Sequence, residues 1–98
     1  MAETQNMKYP TPCESTLEHS ARIAIVEDKP VMYDYWTGSC DKNVVIGLRG
    51  DGEKLLVKNS EEYTSPIEKI YKIEEDYIIV TNNSIYLVKA DIARKNIT

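Results

Sequence analysis

The clearest pattern of apolar and polar positions in this chain lies over residues 76–88, where two apolar, β-branched and aromatic runs flank a polar break. There Asp76-Tyr77-Ile78-Ile79-Val80-Thr81 and Ser84-Ile85-Tyr86-Leu87-Val88 flank the break Asn82-Asn83. Asparagine tolerates the positive φ that a tight hairpin turn needs at its central positions, so the segment predicts a β-hairpin. Upstream, Arg22-Ile23-Ala24-Ile25-Val26 predicts a strand with Ala21, Ile23 and Ile25 on one face. Glu27-Asp28-Lys29-Pro30 predicts a turn. The stretch Val31-Met32-Tyr33-Asp34-Tyr35-Trp36 then alternates as a second strand, and residues 37–43 read as loop. Val44-Val45-Ile46-Gly47-Leu48 is the next strand, and its internal glycine suggests a bulge, a bend or the close approach of another group. Arg49-Gly50-Asp51-Gly52 turns the chain into Lys54-Leu55-Leu56-Val57-Lys58.

Residues 65–73 admit two readings. Ser65, Pro66 and Glu68 fit a helix start, and Ile67, Ile70 and Tyr71 keep helical spacing. Ile67, Lys69, Tyr71 and Ile73 equally alternate as a strand face, and the following hairpin needs a partner, because an isolated hairpin is marginal in water. Strand is preferred. About six short strands on tight turns predict a mostly β fold, a small antiparallel β-barrel or β-roll whose closure removes exposed edges. The expected organisation is a polar N-terminal arm (1–19), one β domain (20–90) and a C-terminal tail or short helix (91–98). Pro10 and Pro12 keep the arm extended, with at most one helical turn over residues 14–19 behind Cys13 or Ser15.

Composition narrows the classes of activity. The chain has 98 residues, enough for one domain, and a homodimer would supplement so small a core. It has no apolar run of membrane-spanning length, and Met1 to Lys8 lack the apolar core of a signal peptide, so no membrane is expected and the expected location is cytoplasmic. The net charge is −4 and Lys54, Lys58, Lys69, Lys72, Lys89, Arg94 and Lys95 are interleaved with acids, which argues against duplex nucleic acid as a partner. Cys13 and Cys40 match no zinc spacing, and His19 is the sole histidine. No metal and no cofactor is expected, and whether the two thiols pair is left open. A Cys13–His19 or Ser15–His19 nucleophilic pair lacks a preorganised base, so no catalytic residue is assigned. Arg49-Gly50-Asp51 spells an adhesion tripeptide and residues 82–84 and 96–98 spell glycosylation sequons, but nothing implies export and turn chemistry explains them equally well.

Seven tyrosines, one tryptophan and no phenylalanine make an unusual aromatic set. Aromatics with a polar tip suit interfaces as well as core edges. The candidate binding residues are Tyr33, Tyr35 and Trp36 as anchors, with Arg49 and Asp51 in the adjacent turn.

Residues 61–67 (Glu61-Glu62-Tyr63-Thr64-Ser65-Pro66-Ile67) and 79–86 (Ile79-Val80-Thr81-Asn82-Asn83-Ser84-Ile85-Tyr86) resemble a pattern in small uncharacterised β proteins of phages and large DNA viruses. In it a Thr-Ser-Pro-aliphatic element precedes an aliphatic-Val-x-Thr-x-Asn-Ser-aliphatic-Tyr hairpin. The resemblance spans about residues 61–88. It implies a compact β domain of viral type, acting in the host cytoplasm, and carries no residue-level function. Within it Asn83 is expected in the turn, with the Thr81 or Ser84 hydroxyl satisfying backbone groups. The leading expectation is a non-enzymatic protein-binding module for a host or viral protein, in its narrower form a virus-encoded inhibitor or counter-defence protein. The alternative is a small-molecule or nucleotide-binding β-barrel with Lys54, Lys58 or Arg49 on phosphate. A minor enzyme ranks third.

Overall fold

A computed structural model describes residues 9–97. The element order is α1 (Glu14–Glu27), β1 (Val31–Met32), α2 (Trp36–Cys40), β2 (Val45–Leu48), β3 (Lys54–Asn59), β4 (Glu62–Tyr63), β5 (Ile67–Ile73), β6 (Asp76–Thr81), β7 (Ile85–Lys89) and β8 (Ala93–Asn96). The fold is mostly β, as expected. The strands form two separate four-stranded sheets, ordered β1-β7-β6-β5 and β4-β3-β2-β8, and no closed barrel is found among the described residues. Both sheets are mixed rather than antiparallel, because β1 runs parallel to β7 and β8 parallel to β2.

The hairpin β6–β7 is the centre of the molecule. Ile78, Val80, Ile85 and Leu87 are fully buried against Trp36 of α2 and Ile23 and Ala24 of α1. On the opposite face Ile79 and Val88 are fully buried against Ile46 and Leu56 of the second sheet, flanked by Tyr77 and Tyr86. The layers therefore run helices, first sheet, second sheet. A strand covered on both faces reads as a continuous apolar run, which is what Tyr77-Ile78-Ile79-Val80 and Ile85-Tyr86-Leu87-Val88 are.

That double burial corrects the expected strand at residues 22–26, which lies within α1. The face of α1 turned to the sheet carries Thr16, Ser20, Ile23, Ala24 and Glu27 at helical spacing, while Ile25 and Val26 are 81% and 82% exposed. Small and polar residues line the packed face and β-branched residues the wet one, so apolar periodicity misleads. The expected arm boundary at 19/20 falls inside this helix. Likewise the expected strand at residues 31–36 stops at Met32. Trp36 begins the one-turn α2 within what reads as strand and loop, where the Ser39 hydroxyl donates to the Trp36 carbonyl at 2.6 Å. The tail, expected as helix or frayed chain, adds β8, held beside β2 in register Ile46 to Arg94. The expected strands at 44–48, 54–58, 65–73 and 76–88 are observed with small changes of boundary.

The 81–84 turn also differs in mechanism. Among the described residues, positive φ outside glycine is confined to Asp28, Lys42 and Glu74, so neither asparagine uses it. Instead the Thr81 hydroxyl accepts the Asn83 and Ser84 N–H groups at 3.2 and 3.1 Å. The Asn83 amide donates to the Ser65 hydroxyl at 2.7 Å, tying this turn to the Thr64-Ser65-Pro66 element.

Asp76 anchors α1 to the sheet. It is 3% exposed, and its Oδ2 accepts the Cys13 N–H and the Thr16 hydroxyl, each at 2.9 Å. The carboxylate thus serves a helix start whose N-cap residue makes no side-chain cap bond. Asp76→Ala strands the buried Thr16 hydroxyl and is expected to cost about 2–3 kcal/mol in urea unfolding followed by circular dichroism. A loss below about 0.5 kcal/mol, the range of ordinary surface substitutions, would contradict this role.

Candidate functional site

The second sheet has one face on the core and one face that no other layer covers. Cross-strand register sets the outer face: Val45 lies opposite Val57, Gly47 opposite Leu55, and Val57 opposite Tyr63. Ile97 extends β8, its N–H donating to the Leu48 carbonyl at 3.0 Å. A Cβ on Gly47 would sit 2.8 Å from Ile97 Cδ1 and 3.0 Å from Val57 Cγ2. The glycine is therefore required by close approach, one of the readings its position suggested. Leu55, Val57, Tyr63 and Ile97, with Arg49, Asn59 and Ser60, line a shallow depression of about 430 Å³. Tyr63 is 54% and Ile97 39% exposed, so the apolar walls meet solvent. Arg49 is the sole charged residue in that lining, held 3.3 Å from Glu53 in its own turn.

The expected binding residues are divided by this architecture. Arg49 borders the depression, and Asp51 sits in the same turn with its Oδ1 accepting the Glu53 N–H at 3.0 Å. Gly52 supplies that turn's positive φ of 94°. Tyr33 is 57% exposed but follows β1, at the edge of the other sheet. Tyr35 and Trp36 are core residues. The Trp36 indole N–H donates to the Pro10 carbonyl at 2.7 Å, and Lys89 lies 5.9 Å from its ring centre. Tyr35 meets Tyr86 edge-on at 5.2 Å, with the Lys58 ammonium 4.6 Å from its ring centre. The aromatic residue exposed on the open face is Tyr63, which is not among the candidate binding residues expected from the sequence. Its signal was the unbroken run Leu55-Leu56-Val57: apolar residues on both faces of one strand leave the outer face apolar as well.

The polar depression at Thr11, Cys13, Glu74, Glu75, Asp76 and Lys89 is dominated by structural bonds. Cys13 Sγ lies 3.0 Å from the Thr16 hydroxyl, which already donates to Asp76. His19 Nδ1 is 2.8 Å from the Ser15 carbonyl of its own helix, and so does not address Cys13. Both cysteines are free, which resolves the open pairing, and burial pushes the Cys40 thiol up despite nearby Lys89. Among the described residues no group of three or more His, Cys, Asp or Glu side chains is placed to hold a metal ion. No helix among them is long and apolar enough to cross a membrane.

Burial, reinforced by Tyr86, Asp34 and Glu62, pushes Tyr35 up to about 12. Below pH 10 the phenol is neutral in both folded and unfolded chains. Between pH 10 and 12 the unfolded chain ionises it and the folded chain does not, so stability falls across that window by roughly 2–3 kcal/mol. Denaturant midpoints from pH 9 to 12 are expected to fall less steeply in Tyr35→Phe than in the parent. Equal slopes would remove Tyr35 as the cause.

Comparison of the chain with protein-family models, with curated proteins and with solved structures finds no match, so its functional reading rests on its own geometry.

Proposed function

We propose that the protein is a non-enzymatic protein-binding module and that the open face of β2, β3, β4 and β8 is its contact surface. The observation that carries this reading is the apolar depression in which exposed Tyr63 and Ile97 and half-buried Val57 stand over buried Leu55, in a domain whose other sheet is covered on both faces. Contiguous apolar surface of this kind marks interaction sites. Tyr63 is the anchor, because a half-exposed tyrosine offers a large ring area at little conformational cost.

The lining sets the occupant. It holds one cation, Arg49, and no carboxylate. The Arg49 side chain is 39% exposed beside Glu53, and a partner that presents an aliphatic or aromatic side chain flanked by Asp or Glu would compete with Glu53 for it. Two free thiols fit a reducing cytoplasm. The narrower proposal, a virus-encoded inhibitor of a host protein, rests on the chain's size and on the pattern over residues 61–88 alone.

Panning a displayed random-peptide library against the full chain tests the reading. Enriched peptides should pair an apolar residue with Asp or Glu. Their affinity should fall about tenfold or more in Tyr63→Ala, an exposed position, and also in Val57→Lys. Peptides that bind both variants as tightly as the parent would refute the site. A parent dimer that Val57→Lys dissociates in sedimentation would assign the face to a second copy instead.

A further inference from the structure

We propose a second site, for a small phosphorylated ligand of the nucleoside di- or triphosphate class, at the end of the sandwich where Lys54, Lys72 and Arg94 converge. The cleft opens between the sheets and encloses about 460 Å³, inside the range of ligand pockets. Its apolar floor is Ile67, Ile70 and Tyr77. It lies on the inner side of the second sheet, opposite the open face described above, and stands independently of that reading.

Strand register fixes where the cations point. Arg94 is aligned with Ile46, Lys54 with Leu48 and Lys72 with Tyr77. Ile46 belongs to the inter-sheet core, and Leu48 and Tyr77 pack against it. Side chains at paired positions share a face, so all three cations stand on inward-facing positions. None of the three takes part in an ion pair among the described residues. The neighbouring charges are already engaged. Glu68 and Lys69 also line the cleft, but Glu68 is 3.2 Å from Lys29 and Lys69 is 3.0 Å from Glu27 of α1. In the adjoining depression past Lys72, Glu75 is 3.8 Å from Lys89 and Asp91 is 2.7 Å from Lys42.

An inward-pointing charge on an edge strand also discourages strand pairing between molecules. That accounts for Lys72 on β5 and Arg94 on β8, which are edge strands. It reaches Lys54 as well, because β4 pairs with β3 only at Val57 and Asn59 and leaves the Lys54 end of β3 uncovered on that side. Edge protection does not explain why these three cations line one cleft together with Ile67, Ile70 and Tyr77. An anion complements a lining that holds Lys54, Lys69, Lys72 and Arg94 against the single carboxylate of Glu68. The Arg94 fork suits two phosphate oxygens, and the lysines add two point charges, which calls for more than one phosphate. The Tyr77 ring and the two isoleucines suit a flat apolar body such as a nucleobase.

Titration calorimetry of the full chain with ADP, inorganic pyrophosphate and adenosine tests this. ADP should bind saturably, pyrophosphate more weakly, and adenosine without saturation. Arg94→Gln, Lys72→Gln and Lys54→Gln should each weaken ADP about tenfold while melting no lower than the parent, since each removes an unpaired inward charge. With three variants, one that failed to fold would leave two to decide. Absence of saturable binding at millimolar ADP, or pyrophosphate binding as tightly as ADP, would overturn the proposal. So would folded variants that keep the parent's ADP affinity; if these also self-associate, the cations are edge protection.

Discussion

Burial of one hairpin on both of its faces is the constraint from which the architecture follows. Ile78, Val80, Ile85 and Leu87 on one side, and Ile79 and Val88 on the other, all have no exposed surface. A sheet that is apolar on both sides cannot close a small domain alone, because one covering layer leaves the other face wet. Helices α1 and α2 supply one cover and β2 and β3 the other. Asp76, at the start of β6, then fixes where the first cover begins, through two hydrogen bonds to the start of α1.

The layering also distributes chemistry. Sheet and helices consume most of the aromatic residues that look like contact anchors in the sequence, including Tyr35 and Trp36. What remains at the surface is set by the second sheet, the last layer, with nothing beyond it. Its outer face is apolar around Tyr63, and its inner rim is basic around Lys54 and Arg94. A single thin layer thus carries two surfaces of opposite character, one apolar and one basic. Most of the protein's other charges are spent in pairs such as Glu27 with Lys29 and Lys69, which hold the Glu27 carboxyl below its usual range.

Much of the β framework was legible in the sequence, since β2, β3, β5, β6 and β7 coincide with β-branched or alternating runs. The helix α1 was not. Thr16, Ser20 and Ala24, spaced four apart, face the sheet and allow close approach, while Ile25 and Val26 face water, which inverts the usual amphipathic signal. The continuous run Tyr77-Ile78-Ile79-Val80 did contain the missing information, because two-sided burial requires a second covering layer. The parallel strand β8 carried no local signal: Ala93-Arg94-Lys95-Asn96 has no buried residue and is a strand only through its ladder to β2. Of the candidate site, Arg49 was legible from turn chemistry. Tyr63 was legible only indirectly, through the run Leu55-Leu56-Val57, because its exposure depends on that face having no further layer over it.

Residue-resolved native-state hydrogen exchange tests the central claim most directly. If the hairpin is the doubly covered core, amides of residues 78–80 and 85–88 should exchange slowest, close to the free energy of global unfolding. Residues 16–27 should be protected in a helical pattern, at a lower level. Protection that is greatest in β2 and β3, or residues 16–27 exchanging as free chain, would contradict an architecture built around that hairpin.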